Sequence, residues 1–245
     1  MVFEMMEGRL AELRGRVEKK WTRLWMTMIF LGLSLAWVSF CPGGLWAETP
    51  PLDQLLERMQ EAYDGTSDLR ARFVQETSIK AAGRKQREEG IVYFKKPRQM
   101  LWEYVRPRAK KLVINNRKAW FYVPQENAVY VQDADRIFKS QLAVRFLSGI
   151  GKLQDDFQIS YDPDRAVDDQ GRYRLVLTPK GPDHGLESLR MTVDGRTYQV
   201  VDCRFSDTYG NQTWLQFRDM QLNTGLQDRL FDFKPPPKAE VFPMQ

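Results

Sequence analysis

Histidine and cysteine are nearly absent from this chain. Of 245 residues one is histidine, His184, and two are cysteine, Cys41 and Cys203. A single imidazole in the turn-like run Gly181, Pro182, Asp183, His184, Gly185 has no paired His or Cys beside it. It supplies neither a metal site nor a base with an orienting partner. No Gly-x-Ser-x-Gly elbow occurs, and no phosphate-cradling glycine loop follows a strand. No catalytic residue, cofactor or metal is therefore assigned, and the chain reads as a non-enzyme. A strong charge of one sign is also missing: 37 Lys and Arg face 32 Asp and Glu, a net charge of +5. That is far from the excess of a nucleic-acid-binding domain. Lys95, Lys96, Arg98, Arg106, Arg108, Lys110 and Lys111 do cluster among aromatics, a device for stacking bases. The small net charge and an export signal argue against nucleic acid. Asp162, Asp164, Asp168 and Asp169 crowd one loop, but Ala166 stands where a helix–loop–helix calcium site needs its third oxygen. They read as a solvated turn, and Glu88 and Glu89 as exposed charge beside a turn.

Long apolar runs are scarce too. The uncharged run is residues 24–40. Lys19, Lys20 and Arg23 precede it, and Pro42, Gly43, Gly44, Leu45, Trp46 and Ala47 follow. A basic head, an apolar middle and a small residue at the end make residues 1–47 a secretory signal peptide, cut after Ala47. The rival is an uncleaved anchor, since the run approaches the roughly 18 residues at which spanning begins. Cys41 raises lipid attachment, which the bulk of Phe40 before it disfavours. The head before Lys19 is long and mixed in charge, and a start at Val17 gives a more usual one. Residues 48–245 are then a single domain holding one cysteine, Cys203, so no internal disulfide can form. Cys203 reads as packing, and the fold must stand on its core alone.

Pro50 and Pro51 open a helix in which Leu52, Leu55, Leu56, Met59, Ala62 and Tyr63 recur at helical spacing, with Thr49 as a cap and Gly65 as its end. Strand patterns follow. Leu69, Ala71 and Phe73 alternate with charges, a turn tip spans residues 82–85, and residues 91–94 return. Further strands centre on Met100, Val113, Trp120, Val129, Ile159, Leu175, Met191, Cys203 and Leu215. The strands around Leu101, Val113 and Trp120 are apolar on both faces and need a cover on each side. A second helical stretch covers residues 136–148, with Phe138, Leu142 and Phe146 four apart before Gly149 and Gly151. About ten or eleven strands with short connections predict an antiparallel meander. The class is mainly β: a cupped sheet whose only lid is the two amphipathic helices.

The run from Lys95 to Tyr104 is the most informative. A basic cluster around Pro97 leads into a strand whose Met100, Trp102 and Tyr104 share a face, with Lys96 and Arg98 read as their continuation. The strip fits either an apolar ligand, each buried methylene giving about 0.8 kcal/mol, or a plain core filled by the helices. Composition leaves the two readings equal.

The order of several short motifs adds a resemblance. Phe73, Val74 and Gln75 lie on the first strand, and residues 90–94 precede Lys95, Lys96 and Pro97 with Trp102 beyond. Trp120, Phe121 and Tyr122 come before Pro124, and Leu177, Thr178, Pro179 and Lys180 later. Asp207, Gly210, Asn211 and Thr213 follow, then Phe231, Asp232 and Phe233 with the prolines. Between residues 52 and 241 the chain resembles the LolA family of outer-membrane lipoprotein carriers from Gram-negative bacteria. The resemblance implies an unclosed antiparallel β-barrel of about eleven strands covered by short α-helices. It implies a monomeric periplasmic chaperone that binds the acyl chains of triacylated lipoproteins. These would come from an inner-membrane ABC transporter and pass to an outer-membrane receptor, with no bond broken and no cofactor. The family's latch arginine, which ties the sheet to helix carbonyls, falls on Lys96, with Arg98 as a second candidate. The family's aromatic site after the proline falls on Met100. The implied acyl-chain lining is Met100, Trp102, Tyr104, Val113, Phe138, Leu142 and Phe146. The alternatives are a related lipid or glycolipid carrier and an envelope-stress sensor domain of the same fold.

Overall fold

A computed structural model describes residues 49–136, 153–181 and 186–244. Residues 1–47, the helical stretch with Phe138, Leu142 and Phe146, and His184 lie outside the described residues. The first described element is helix α1 (Leu52–Asp64), which turns Leu55, Leu56 and Met59 inward. Its N-cap is Pro51, which makes no side-chain cap bond, so Thr49 does not serve as the expected cap. Proline there fixes the backbone before the first turn without losing an intrahelical bond.

Among the described residues, twelve strands form one sheet. The first six are β1 (Asp68–Ile79), β2 (Arg84–Lys95), β3 (Gln99–Arg106), β4 (Lys110–Ile114), β5 (Lys118–Val123) and β6 (Ala128–Asp133). A short helix α2 (Leu153–Asp156) leads into β7 (Phe157–Tyr161), β8 (Tyr173–Pro179), β9 (Leu186–Val193), β10 (Val200–Asp207) and β11 (Gln212–Leu222), and β12 (Glu240–Pro243) closes the order. Each run is an antiparallel meander, as the short connections predict, but there are two of them. Their spatial order is β12-β6-β5-β4-β3-β2-β1-β11-β10-β9-β8-β7, so β1 and β11 form the seam. The strands β12 and β7 stand at opposite ends of that order, so the barrel is unclosed. Eleven strands pair antiparallel, and the twelfth, β12, adds to β6 in parallel.

Cross-strand register builds the inner face. Phe73 stands opposite Phe217 and Gly90, and Gly90 opposite Tyr104. A Cβ on Gly90 would meet the Glu103 carbonyl oxygen at 2.1 Å and the Phe73 ring at 2.8 Å. Glycine there is what lets the Phe73 ring lie across the sheet. The inner core joins Leu55, Leu56 and Met59 of α1 to side chains from β1–β5 and β7–β11, Cys203 among them.

The opposite face of the first meander has its own core. Leu101, Val113 and Phe231 pack there with Tyr93, Trp120, Leu226, Leu230 and Phe233. Among the described residues, the second cover expected over these two-faced strands is not a helical lid. It is the chain after β11, including the 3-10 turn Asp228–Phe231. Among the described residues no helix is long and apolar enough to cross a membrane.

Candidate functional site

Met100 and Trp102 sit where β3 faces α1. Met100 is fully buried and Trp102 is 7% exposed, both in the inner core. The Trp102 indole N–H donates to the Met100 sulfur at 2.9 Å. Phe73 meets Trp102 and Tyr104 edge-on at centroid distances of 4.8 and 4.9 Å. Edge contacts of this kind add to plain area burial. Val113, expected in the same wall, is opposite Leu101 in register and packs in the outer core. The period-2 rule gives the reason: the inner partners of Met100 and Trp102 on β4 are Ile114 and Leu112.

Beyond Tyr104 the strip becomes polar. Glu88, expected as exposed charge, is 6% exposed, and its carboxylate pairs with Lys110 at 2.7 Å. The Lys110 ammonium lies 4.3 Å from the Tyr104 ring centroid, and the Tyr104 hydroxyl donates to Gln75 Oε1 at 3.3 Å. Burial, with the Glu88 charge, holds the Tyr104 phenol above its ordinary value. Alternation along β2 places Glu88 on the same face as Gly90, Val92 and Phe94, so the signal was present in the sequence. The inner face is thus an apolar floor with a charged rim at one end.

The basic cluster does not continue the strand. Residues 96–98 form the turn between β2 and β3, with Lys95 opposite Gln99, and Arg98 has φ 105°. Each cation reaches a different segment. The Lys96 ammonium donates to the carbonyls of Tyr63 at 2.6 Å and Asp64 at 3.0 Å. Helix ends leave carbonyls without intrahelical partners and carry partial negative charge, so an ammonium suits them. Arg98 pairs instead with Asp135, just after β6. Lys95, on the outer side, donates to the Leu226 carbonyl at 2.7 Å and pairs with Asp228 at 2.5 Å.

A second junction lies beside this turn. Asp68 is buried, and its carboxylate accepts from the Thr224 hydroxyl and from the N–H groups of Thr224, Gly225 and Leu226. Burial works to raise its carboxyl, and these donors outweigh it, holding it below the ordinary carboxylate value. Asn223 donates to the Gly65 carbonyl at 3.1 Å and accepts from the Ser67 N–H. Tyr63, whose phenol burial pushes up, accepts from the Val200 N–H at 3.3 Å. At its start, Tyr161 donates to the Pro50 carbonyl at 2.7 Å, its own phenol pushed up to about 12 by burial and the neighbouring Tyr173. The segment bearing α1 is thus bonded to the sheet near both ends.

The aspartate loop is only in part the solvated turn expected, since Asp164 and Asp169 are exposed and Asp162 and Asp168 are not. The Asp162 side chain is buried and accepts from Arg174 at 2.8 Å and Arg190 at 3.2 Å. Asp168 accepts from Arg172 and from two backbone N–H groups, and Asp169 pairs with Arg165. Arginines and backbone N–H groups thus occupy oxygens of Asp162, Asp168 and Asp169.

Residues 64–234 match the model of the family described as outer membrane lipoprotein carrier protein LolA. The chain belongs to the LolA family. An outer-membrane lipoprotein carrier protein from Methylococcus capsulatus is 27% identical over 196 residues, covering 80% of this chain and 89% of that one. Its counterpart from Pseudomonas aeruginosa is 28% identical over 186 residues, covering 76% and 86%. Among solved structures, an uncharacterized conserved protein from Thermus thermophilus superposes with a TM-score of 0.52 at 14% identity, over 78% of this chain and 98% of that one. That last likeness supports the open, helix-covered sheet and nothing finer.

Proposed function

We propose that this LolA-family carrier takes lipoprotein acyl chains onto the inner face of its sheet, along Met100, Trp102 and Tyr104. It would act in the periplasm, after removal of residues 1–47, between an inner-membrane ABC transporter and an outer-membrane receptor. The observation that carries this reading is the contact between Lys96 and the Tyr63 and Asp64 carbonyls at the end of α1. That helix covers the strip, and one ammonium with three donors reaches two carbonyls without the planar fork of an arginine.

The physical problem of such a carrier is release. Each acyl methylene transferred from water gives about 0.8 kcal/mol, so a freely open cup would hold several chains too tightly to deliver them. Leu55, Leu56 and Met59 occupy the floor in the described form. Cargo must therefore displace them and break the Lys96 contacts, and this competing closure lowers net affinity. Arg98 pairs with Asp135, and the latch role is assigned to Lys96 on its two carbonyl contacts. Nothing in this cycle requires bond chemistry.

Mass spectrometry of organic extracts from the protein isolated from periplasm tests the reading, with triacylated lipoprotein as the expected cargo. Free glycolipid alone would favour the related-carrier alternative, and an empty protein under active lipoprotein export would overturn both.

A further inference from the structure

Away from the cup, the outward face of the sheet at the β1–β11 seam holds a groove of about 830 Å³, lined from β2, β1, β11, β10 and β9. Register sorts most of its lining into two parallel rows, with Thr77, Gln86, Phe205 and Thr213 between them in sequence. In one, Arg87, Glu76, Trp214, Arg204 and Arg190 stand opposite one another across β2, β1, β11, β10 and β9. In the other, Lys85, Ser78, Gln212, Ser206 and Ser188 do the same one strand step further on. Sites two residues apart on a strand are about 7 Å apart, and neighbouring strands about 4.8 Å. The floor is therefore a polar lattice, and the groove falls within the roughly 300–1,000 Å³ of small-molecule sites.

Its charge is one-sided. Lys85, Arg87, Arg190 and Arg204 line the groove against one acid, Glu76, which Arg87 already engages at 3.0 Å. Arg190 and Arg204 are direct cross-strand partners, and like charges so placed repel. Their own acids lie to one side: Asp162 is shared with Arg174, and Asp202 approaches Arg204 only at 3.9 Å. Asp202 also accepts from the Trp214 indole, and Arg204 lies 4.7 Å from that ring centroid. An anion seated between the two guanidinium groups would relieve the repulsion with paired donors.

The second row decides what carries the anion. Serine hydroxyls and a glutamine amide each donate and accept, which matches sugar hydroxyls. A peptide adding to a sheet would join an edge strand through its backbone, whereas this site lies across the face of central strands. We infer that the groove is a binding site for an anionic oligosaccharide, its acidic group held by Arg190 and Arg204 and its hydroxyls by Ser188, Ser206 and Gln212. This site is independent of acyl-chain carriage.

The test uses the whole chain, labelled with 15N, and follows the Trp214 indole resonance, assigned by its loss in Trp214→Phe. A heparin-derived tetrasaccharide is expected to shift that resonance saturably, with maltotetraose at least about tenfold weaker. Lys85→Glu, an exposed change near the hairpin tip, and Arg204→Gln should each weaken the tetrasaccharide several-fold while leaving the rest of the spectrum in place. Hexaglutamate binding as tightly as the tetrasaccharide, inorganic phosphate giving the same shift at the same concentration, or unchanged affinity in both variants would overturn the inference. So would the absence of any shift with the tetrasaccharide.

Discussion

Strands β3–β5 carry apolar side chains on both faces, whereas β8–β10 bury one face and charge the other. In the first meander Met100 packs inward against α1 while its neighbour Leu101 packs outward against Phe231. In the second, Leu175, Met191 and Cys203 face inward, and Arg174, Arg190 and Arg204 face out. The difference lies in what covers each face. One face of the first meander packs against α1, the helix that the proposed carriage requires to yield to cargo. Its other face is closed by a segment tied down through Asp68 and Lys95, which under the proposed carriage would keep the floor in shape as α1 moves.

The largest effect should come from removing that outer cover. Phe231→Ala empties a fully buried site and should destabilise the protein by about 3–5 kcal/mol. Val176→Ala, on the outward face of β8, should cost less than about 1 kcal/mol. Urea titrations of both variants measure the contrast, and similar losses would erase the distinction between the two outer faces.

Asp68→Asn comes next, at about 2 kcal/mol, because it weakens a carboxylate accepting four hydrogen bonds. The sign with pH follows from the lowered folded value. Stability from this carboxylate is fully present above its ordinary value of 3.8 and is lost as pH falls through the folded value. The parent should therefore lose stability toward the variant on acidification below about pH 4. Thermal melts from pH 7 to pH 3 read this, and a constant gap between the two proteins would contradict it.

The smallest global change should follow Lys96→Met, about 1 kcal/mol, since α1 keeps its apolar contacts. Hydrogen exchange should nevertheless quicken at the end of α1 and leave β8–β10 unaffected. Equal protection of α1 in both proteins would remove Lys96 from the closing mechanism.

Much of this was legible along the chain because it depends on period. Alternation located the strands, helical spacing picked out the buried side of α1, and apolarity on both faces of β3–β5 demanded two covers. The same rule applied strictly would have placed Glu88 inside and Val113 outside. What period cannot supply is which distant segment arrives. Residues 226–233 as the outer cover and Asn223 at the helix end both depend on segments meeting out of sequence order. Phe138, Leu142 and Phe146, expected in the lining, lie outside the described residues.

Lys95, Lys96 and Arg98 show the division most clearly. Local sequence determined that a basic turn would lead into an apolar strand, because charge, proline and side-chain alternation are properties of neighbours. Only the tertiary structure decided that Lys95 holds the outer cover, Lys96 the end of α1 and Arg98 the connection after β6. The backbone reverses over three residues at that turn, so side chains adjacent in sequence leave in different directions. Each then bonds whatever carbonyl or carboxylate the fold has brought there.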